Sequence, residues 1–126
     1  MFVILPFEKE FYGKFDYEVD FVGHPLLDAI ENNFKQNTAI EVNTDKPIVA
    51  ILPGSRKQEI AAMLPVMLNV TKNFPNYEFV IAAAPSVNKE FYQKITGEKS
   101  DVKIVYNQTY DLLKQSTAAL VTSGTA

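Results

Sequence analysis

A glycine-containing turn between an apolar run and a helical pattern is the first feature of this sequence that could do chemistry. The apolar run 48–52 leads into Gly54-Ser55-Arg56, and a helical pattern begins at Gln58. The first N–H groups of a helix have no partner within it, and the helix dipole places partial positive charge there. Arg56 adds a full charge on a planar group that matches phosphate oxygens. The pattern indicates an anion site suited to a phosphate-bearing ligand.

The turn Ser123-Gly124-Thr125 repeats this arrangement later in the chain, after the apolar run 118–122. The carboxyl ends of parallel strands lie at one edge of a sheet, and open α/β sheets bind ligands there. We therefore expect both turns to converge on one ligand. The alternative for the second turn is an ordinary strand-to-helix connection.

Ser55 also has a structural interpretation. It is predicted to cap the helix, with Gln58 completing a capping box three residues later. If the turn has no other role, Ser55 is only a cap and Arg56 is only a solvated charge.

Three further residues are candidates for a site. His24 is the only histidine, and the usual pKa of this side chain lies near neutrality, which suits a general acid or base; the alternative is a loop histidine packed between two units. Tyr106 and Asn107 follow another apolar run and would lie at the ligand edge, facing a base or sugar. The alternative there is a capped helix start at Thr109.

Composition excludes several classes of protein. The chain has 126 residues with 47% apolar residues, a net charge of -3 and no cysteine. The length is sufficient for a hydrophobic core. The negative net charge argues against the basic surface that is typical of nucleic-acid binding. The absence of cysteine excludes disulfides and thiolate metal sites. No metal-ligand spacing and no dinucleotide or Walker glycine pattern is present, so no metal and no cofactor is predicted.

Apolar runs alternate with helical patterns over residues 47–126, which predicts an α/β fold with a Rossmann-like parallel sheet. Pro65 lies within the longest helical pattern, where we expect a kink or a helix that restarts. The predicted strands are Ile48–Leu52, Phe79–Ala84, Val102–Val105 and Ala118–Thr122, and the predicted helices are Gln58–Phe74, Asn88–Thr96 and Thr109–Ser116.

Residues 1–30 are predicted to form a separate unit with a strand at 2–5, a helix at 8–15 and a strand at 19–22. The polar stretch 31–46 is typical of a linker. The aromatic helix 8–15 is expected to pack on its own domain, with a membrane surface as the alternative. Both chain ends suggest a segment of something longer.

Five motifs in this order resemble the lipid-A-disaccharide synthase family, across essentially the whole chain. They are Ile4-Leu-Pro-Phe-Glu8, Phe21-Val-Gly-His-Pro-Leu-Leu-Asp28, Leu52-Pro-Gly-Ser-Arg56, Thr109-Tyr-Asp-Leu-Leu113 and Leu120-Val-Thr-Ser-Gly-Thr-Ala126.

The resemblance implies a two-domain glycosyltransferase B fold, with residues 1–30 ending the N-terminal half and residues 47–126 beginning the C-terminal half that holds the nucleotide sugar. The family transfers 2,3-diacylglucosamine from UDP to 2,3-diacylglucosamine 1-phosphate in lipid A biosynthesis, with inversion. A cytoplasmic location is implied, with peripheral contact at the inner membrane of a Gram-negative cell.

The resemblance also implies site residues. Gly54, Ser55 and Arg56 match the phosphate-side turn, and Arg56 would stabilise the departing UDP. The donor diphosphate would also contact the second turn, Ser123-Gly124-Thr125. The family's general base and ribose-binding glutamate fall outside the chain, so we expect no turnover by this segment alone. A sugar-nucleotide epimerase and a non-catalytic phosphate- or nucleotide-binding module are the alternatives.

Overall fold

The computed structural model describes residues 1–34, 39–97 and 100–123, with the side chains of residues 33 and 34 left aside. The chain divides into two compact units, Met1–Asn37 and Thr38–Ala126. The second unit carries the larger sheet and most of the buried residues.

The first unit has a short parallel strand pair. Strand β1 (Phe2–Val3) pairs with β2 (Asp20–Phe21), and helix α1 (Pro6–Gly13) connects them. Val3 and Val19 are its buried apolar residues among those described. The predicted strand–helix–strand order is confirmed, with shorter strands and a helix that begins earlier than expected.

Helix α2 (Pro25–Phe34) corrects the prediction of a linker beginning at residue 31. Proline suits the first position of a helix because its missing N–H would have no helical partner there. His24 precedes it as the cap, since its Nδ1 accepts a hydrogen bond from the Leu26 N–H at 3.1 Å. Asn32 and Asn33 suggested a loop by residue type, but the helix that begins at Pro25 continues through both residues. Residues 35–38 lie outside the described part of the chain.

The second unit is a four-stranded parallel sheet in the order β5-β4-β3-β6. This confirms the predicted α/β class and parallel sheet. Every strand is connected to the next by a helix, as parallel strands require. The strands are β3 (Ile48–Leu52), β4 (Glu78–Ala83), β5 (Lys103–Tyr106) and β6 (Ala118–Val121), and the helices between them are α3 (Lys57–Thr71), α4 (Lys89–Thr96) and α5 (Thr109–Gln115).

Helices cover both faces of this sheet. On one face, Ile60 and Leu64 of α3 and Tyr92 of α4 pack with Ile51 and Ile81. On the other face, Leu112 of α5 packs with a separate apolar cluster; its buried members are Ile40, Ile48, Ala50, Leu52, Val80 and Ala82. Burial on both faces explains why the central strands are continuously apolar rather than alternating.

Helix α3 runs through Pro65 as a single helix, so the expected restart is wrong. Proline removes one backbone donor, but Pro65 itself is exposed, and its neighbour Leu64 is fully buried in the core. Packing of this apolar face stabilises the helix across the missing hydrogen bond. The helix ends at Thr71, and Phe74, predicted as its last buried residue, is 47% exposed.

Three phenylalanines in and just after α1 are exposed, whereas Tyr12 of the same helix is half-buried. Phe7, Phe11 and Phe15 are 63%, 51% and 70% exposed, and the helix has no buried residue. Phe11 contacts Tyr12 and Phe15, each with ring centroids 5.4 Å apart. The helix contacts β1 and β2 of its own unit, so the expected packing is confirmed for the helix but not for these three exposed rings. Among the described residues, no helix has the length and hydropathy needed to cross a membrane.

Candidate functional site

A cavity of about 210 Å³ lies at the carboxyl edge of the four-stranded sheet. It is bounded by the ends of β3, β4 and β6, by the turns that follow them, and by the start of α5. The lining residues are Leu52, Gly54, Ser55, Glu59, Ala82, Ala83, Ala84, Pro85, Thr109, Thr122 and Ser123.

The cavity lies where the strand order reverses. From β3 the chain passes through α3 to β4 on one side, and it returns through α5 to β6 on the other side of β3. Connections that leave in opposite directions open a crevice at the carboxyl ends of the two central strands, and ligands of open α/β sheets bind in such crevices. Ser55 and Ser123 line this crevice together, as their positions after neighbouring strands predicted.

Gly54 gives the first turn its shape. Its φ is +119°, and a Cβ built on it would lie 2.8 Å from Glu59 Oε2 and 2.9 Å from Glu59 Cβ. A side chain at this position would be strained and would also clash, so the turn requires glycine. Glycine therefore lets the backbone of this turn lie closer to the first turn of α3 than it could with any other residue at position 54.

Glu59 caps the start of α3, which corrects the predicted capping box. The helix begins at Lys57, and Glu59 Oε2 accepts hydrogen bonds from the N–H groups of Ser55 at 3.2 Å and Arg56 at 3.3 Å. Arg56 is the N-cap residue, so the acidic partner three residues later is Glu59 and not Gln58. The Ser55 side chain does not cap the helix.

The loop after β4 is held by two hydrogen bonds, one to Tyr92 of α4 and one to the turn after β3. The hydroxyl of fully buried Tyr92 accepts from the Ala84 N–H at 2.8 Å, and the Ser86 hydroxyl donates to the Ser55 carbonyl at 3.1 Å. Burial raises the pKa of Tyr92 above its ordinary value, although the bond from Ala84 opposes the shift. Tyr92 is therefore neutral at physiological pH and connects the core to the cavity wall.

Replacing Tyr92 with phenylalanine should lower the free energy of unfolding by about 1–2 kcal/mol, because the Ala84 N–H loses its acceptor. Chemical denaturation followed by circular dichroism would measure the change. Tyr77→Phe is the matched control, since Tyr77 is 40% exposed and lies outside the cavity. Equal effects of both variants would contradict the importance of the Ala84 bond.

Arg56 lies at the same edge as the cavity but is not one of its lining residues. Its side chain is exposed, and it forms no ion pair with any residue in the described ranges. The guanidinium is therefore free to turn towards an anion at the cavity mouth. Its predicted contact with a phosphate stays a prediction.

The other predicted residues lie in different places. His24 caps α2 in the first unit. Tyr106 and Asn107 end β5 outside the cavity lining, and Asn107 has φ +54°. The helix start expected at Thr109 is confirmed, but its N-cap residue, Gln108, makes no side-chain cap hydrogen bond. Burial, then repulsion by Tyr92 and Glu90, raises the pKa of Tyr106. Gly124 and Thr125 lie outside the described residues.

The sequence pattern missed three polar lining residues, Glu59, Thr109 and Thr122. The position of Thr122 directly before Ser123 is a signal that the sequence does contain. In the structure, the N–H and the hydroxyl of Thr122 both donate to the Leu52 carbonyl, at 3.1 and 3.3 Å. Glu59 would have been found by starting the capping box one residue later. In the part of the chain that the structure describes, no three His, Cys, Asp or Glu residues lie together as a metal site would need.

Comparison with known proteins identifies the family to which the whole chain is similar. The family model described as lipid-A-disaccharide synthetase matches residues 1–126. The chain belongs to this family. Among curated members, the lipid-A-disaccharide synthase of Syntrophus aciditrophicus is 38% identical over 136 residues, which include 100% of this chain and 35% of that protein. That of Persephonella marina is 35% identical, covering 100% of this chain and 37% of that protein.

A third member of the lipid-A-disaccharide synthetase family extends the comparison. Lipid-A-disaccharide synthase 1 of Legionella pneumophila strain Paris is 32% identical, again over 100% of this chain and 35% of that protein. The chain therefore spans about a third of the length of the curated relatives it matches. No solved structure matches the chain significantly.

Proposed function

We propose that residues 47–126 form the beginning of the sugar-nucleotide-binding half of a lipid-A-disaccharide synthase. The cavity at the carboxyl edge would receive the diphosphate of the donor, UDP-2,3-diacylglucosamine. The acceptor would be 2,3-diacylglucosamine 1-phosphate, and the products would be the disaccharide 1-phosphate and UDP.

One observation carries this proposal: Gly54, Ser55 and Ser123 line one crevice at the point where the strand order reverses. Phosphates in open α/β sheets are bound at that point by the turn after the first strand and the helix that follows it. Here the turn after β3 provides a glycine that lies close to α3 and a helix N-terminus, and Arg56 provides an exposed cation. Family membership supports a uridine diphosphate sugar over other phosphate ligands.

The proposed transfer replaces one bond at the anomeric carbon with another. The bond from this carbon to the β-phosphate oxygen breaks, and the electron pair stays with UDP. A hydroxyl oxygen of the acceptor bonds to the carbon from the opposite side and loses its proton to a general base. Arg56 would stabilise the charge that grows on UDP, a task for a preorganised cation. We further propose a cytoplasmic location with peripheral contact at the inner membrane.

Replacing Arg56 with alanine should weaken UDP binding by about tenfold to a hundredfold, since a charge-assisted contact contributes roughly 1.5–3 kcal/mol. Isothermal titration calorimetry of the 126-residue chain with UDP would measure this. Arg56→Lys should lose only part of the affinity, because lysine keeps the charge but not the planar two-pronged contact.

The control is Lys94→Ala, which makes the same charge change in the last turn of α4, near the opposite edge of the sheet. Uridine serves as the control ligand, since its binding should be unaffected by Arg56→Ala. Unchanged UDP affinity in Arg56→Ala would refute the role of Arg56. Absence of UDP binding by the wild-type chain, with inorganic phosphate bound instead, would favour a phosphate-binding module.

A further inference from the structure

Glu59 is the single charged residue among the described residues that line the cavity. Its carboxylate accepts the N–H groups of Ser55 and Arg56, the two donors that precede α3. A negative charge therefore lies in the place where a phosphate oxygen would otherwise meet these donors. The first N–H groups of α3 itself, from Lys57 onward, are not among the donors to Glu59.

The first unit contains the same arrangement without the cavity. Glu8 is the third residue of α1, and its Oε2 accepts the N–H groups of Ile4 at 3.2 Å and Leu5 at 2.8 Å. The chain thus begins two helices with the same glutamate cap, and only Glu59 lines the cavity described above. The recurrence identifies the glutamate cap as a structural element of the helix start.

The lack of a side chain at Gly54 leaves the space beside the turn that Glu59 occupies. The Glu59 Cβ lies within 2.9 Å of the place where a Cβ of Gly54 would be, so its side chain follows the turn closely. Outward rotation of the carboxylate would give up two hydrogen bonds to backbone N–H groups. These bonds place the carboxylate in the cavity wall.

We propose that Glu59 is a specificity-determining residue that makes the site discriminate against free UDP in favour of a diphosphate linked to a sugar. This inference rests on the proposed function, because it concerns the same cavity. The β-phosphate of a UDP-sugar is a diester with roughly one negative charge, whereas that of free UDP carries roughly two above pH 7. A fixed carboxylate repels the second form more strongly.

The discrimination has a consequence for turnover. Transfer of the sugar leaves a terminal β-phosphate on UDP, so the added negative charge develops beside Glu59 as the bond to the sugar breaks. Glu59 therefore weakens product binding more than donor binding and favours release of UDP. Arg56 attracts both forms, so the two residues together set the ratio of donor and product affinities.

The test is Glu59→Gln, which removes the charge but keeps an oxygen that can accept the two amide N–H groups. Calorimetry at pH 8 would compare UDP, UDP-N-acetylglucosamine, the β-methyl ester of UDP and uridine. We expect the variant to bind UDP about threefold to tenfold more tightly than wild type. The two diesters should change less, and uridine should not change. The methyl ester separates charge from sugar contacts, because it has the charge of a UDP-sugar without the sugar.

Glu8→Gln is the matched control, since it alters an identical helix cap outside the cavity lining and should leave all four affinities unchanged. Equal tightening for UDP and its methyl ester in Glu59→Gln would overturn the proposal while leaving the binding site intact. If wild type binds none of the uridine diphosphates, the proposed function fails together with it. Glu59→Ser is a second neutral variant; if neither variant folds, Glu59 serves folding alone and the proposal is overturned.

Discussion

Replacing Gly54 with alanine is expected to lower the free energy of unfolding of the second unit by about 3 kcal/mol and to abolish UDP binding. Part of this loss, roughly 1–2 kcal/mol, arises because alanine is strained at φ +119°. The rest arises because the new methyl group would lie within 2.9 Å of Glu59 Cβ, which forces the turn away from α3. Urea denaturation and calorimetry with UDP would measure the two effects.

Gly97→Ala separates the two causes. Gly97 has φ +83° at the end of α4, and a Cβ there would meet nothing within 4 Å, so this variant carries backbone strain without a clash. We expect it to cost about 1–2 kcal/mol and to leave UDP affinity unchanged. If Gly54→Ala were no more destabilising than Gly97→Ala, close approach of the turn to Glu59 would not be the reason for glycine.

A double variant tests the contact directly. Glu59→Ala removes the carboxylate that would crowd a methyl group at Gly54, so Gly54→Ala should cost less in that background than in wild type. The coupling should amount to about 1 kcal/mol, typical of residues in direct contact. Additive effects would place the cost in the backbone of Gly54 and in the contact with Glu59 Cβ at 2.9 Å, which alanine at position 59 keeps.

The strands of the second unit could be predicted from sequence because burial on two faces leaves a simple signal. Ile48–Leu52 is apolar at every position, and all five residues are buried. Order along the chain and right-handed connections then restrict the topology to few choices. The convergence of Ser55 and Ser123 followed from the same rule and required no knowledge of side-chain packing.

Helix starts were harder to predict because several residues compete for the cap. Ser55 and Gln58 satisfy the capping pattern by type, yet the chain uses Glu59 and begins the helix two residues after Ser55. The positive φ of Gly54 brings Glu59 against the turn, and a one-dimensional pattern does not contain this contact. This contact also changes the candidate site, because the N–H groups of Ser55 and Arg56 donate to the Glu59 carboxylate and not to a phosphate.

Helix α2 was missed for a related reason. Asn32 and Asn33 favour loops by propensity, but Pro25 and the His24 cap fix the start of a helix whose apolar face includes Ile30. Conversely, the aromatic residues of α1 suggested burial by type, although Phe7 and Phe11 are exposed. Side-chain type alone does not specify which surface meets a partner.

Replacing Leu112 with alanine is expected to lower the free energy of unfolding by about 2–5 kcal/mol, the usual range for a fully buried leucine. Leu112 is 0% exposed and is the buried residue of α5, where it packs on β4 and its neighbours. This helix carries the chain across the sheet from β5 to β6, and its first residue, Thr109, lines the cavity. Calorimetric unfolding and a UDP titration would show whether stability and binding decline together.

Leu113→Ala is the matched control, because Leu113 is the next residue and is 38% exposed. It makes the same chemical change and should cost less, about 1 kcal/mol, since more than a third of the Leu113 surface is already exposed to water. The contrast tests more than burial. If Leu112 holds α5 against the sheet, its replacement should also weaken UDP binding. The reason is that Thr109, at the start of α5, and Ser123, after β6, would no longer be held together in one cavity wall. Full UDP affinity in a destabilised Leu112→Ala chain would mean that the turn after β3 binds the nucleotide without the second turn.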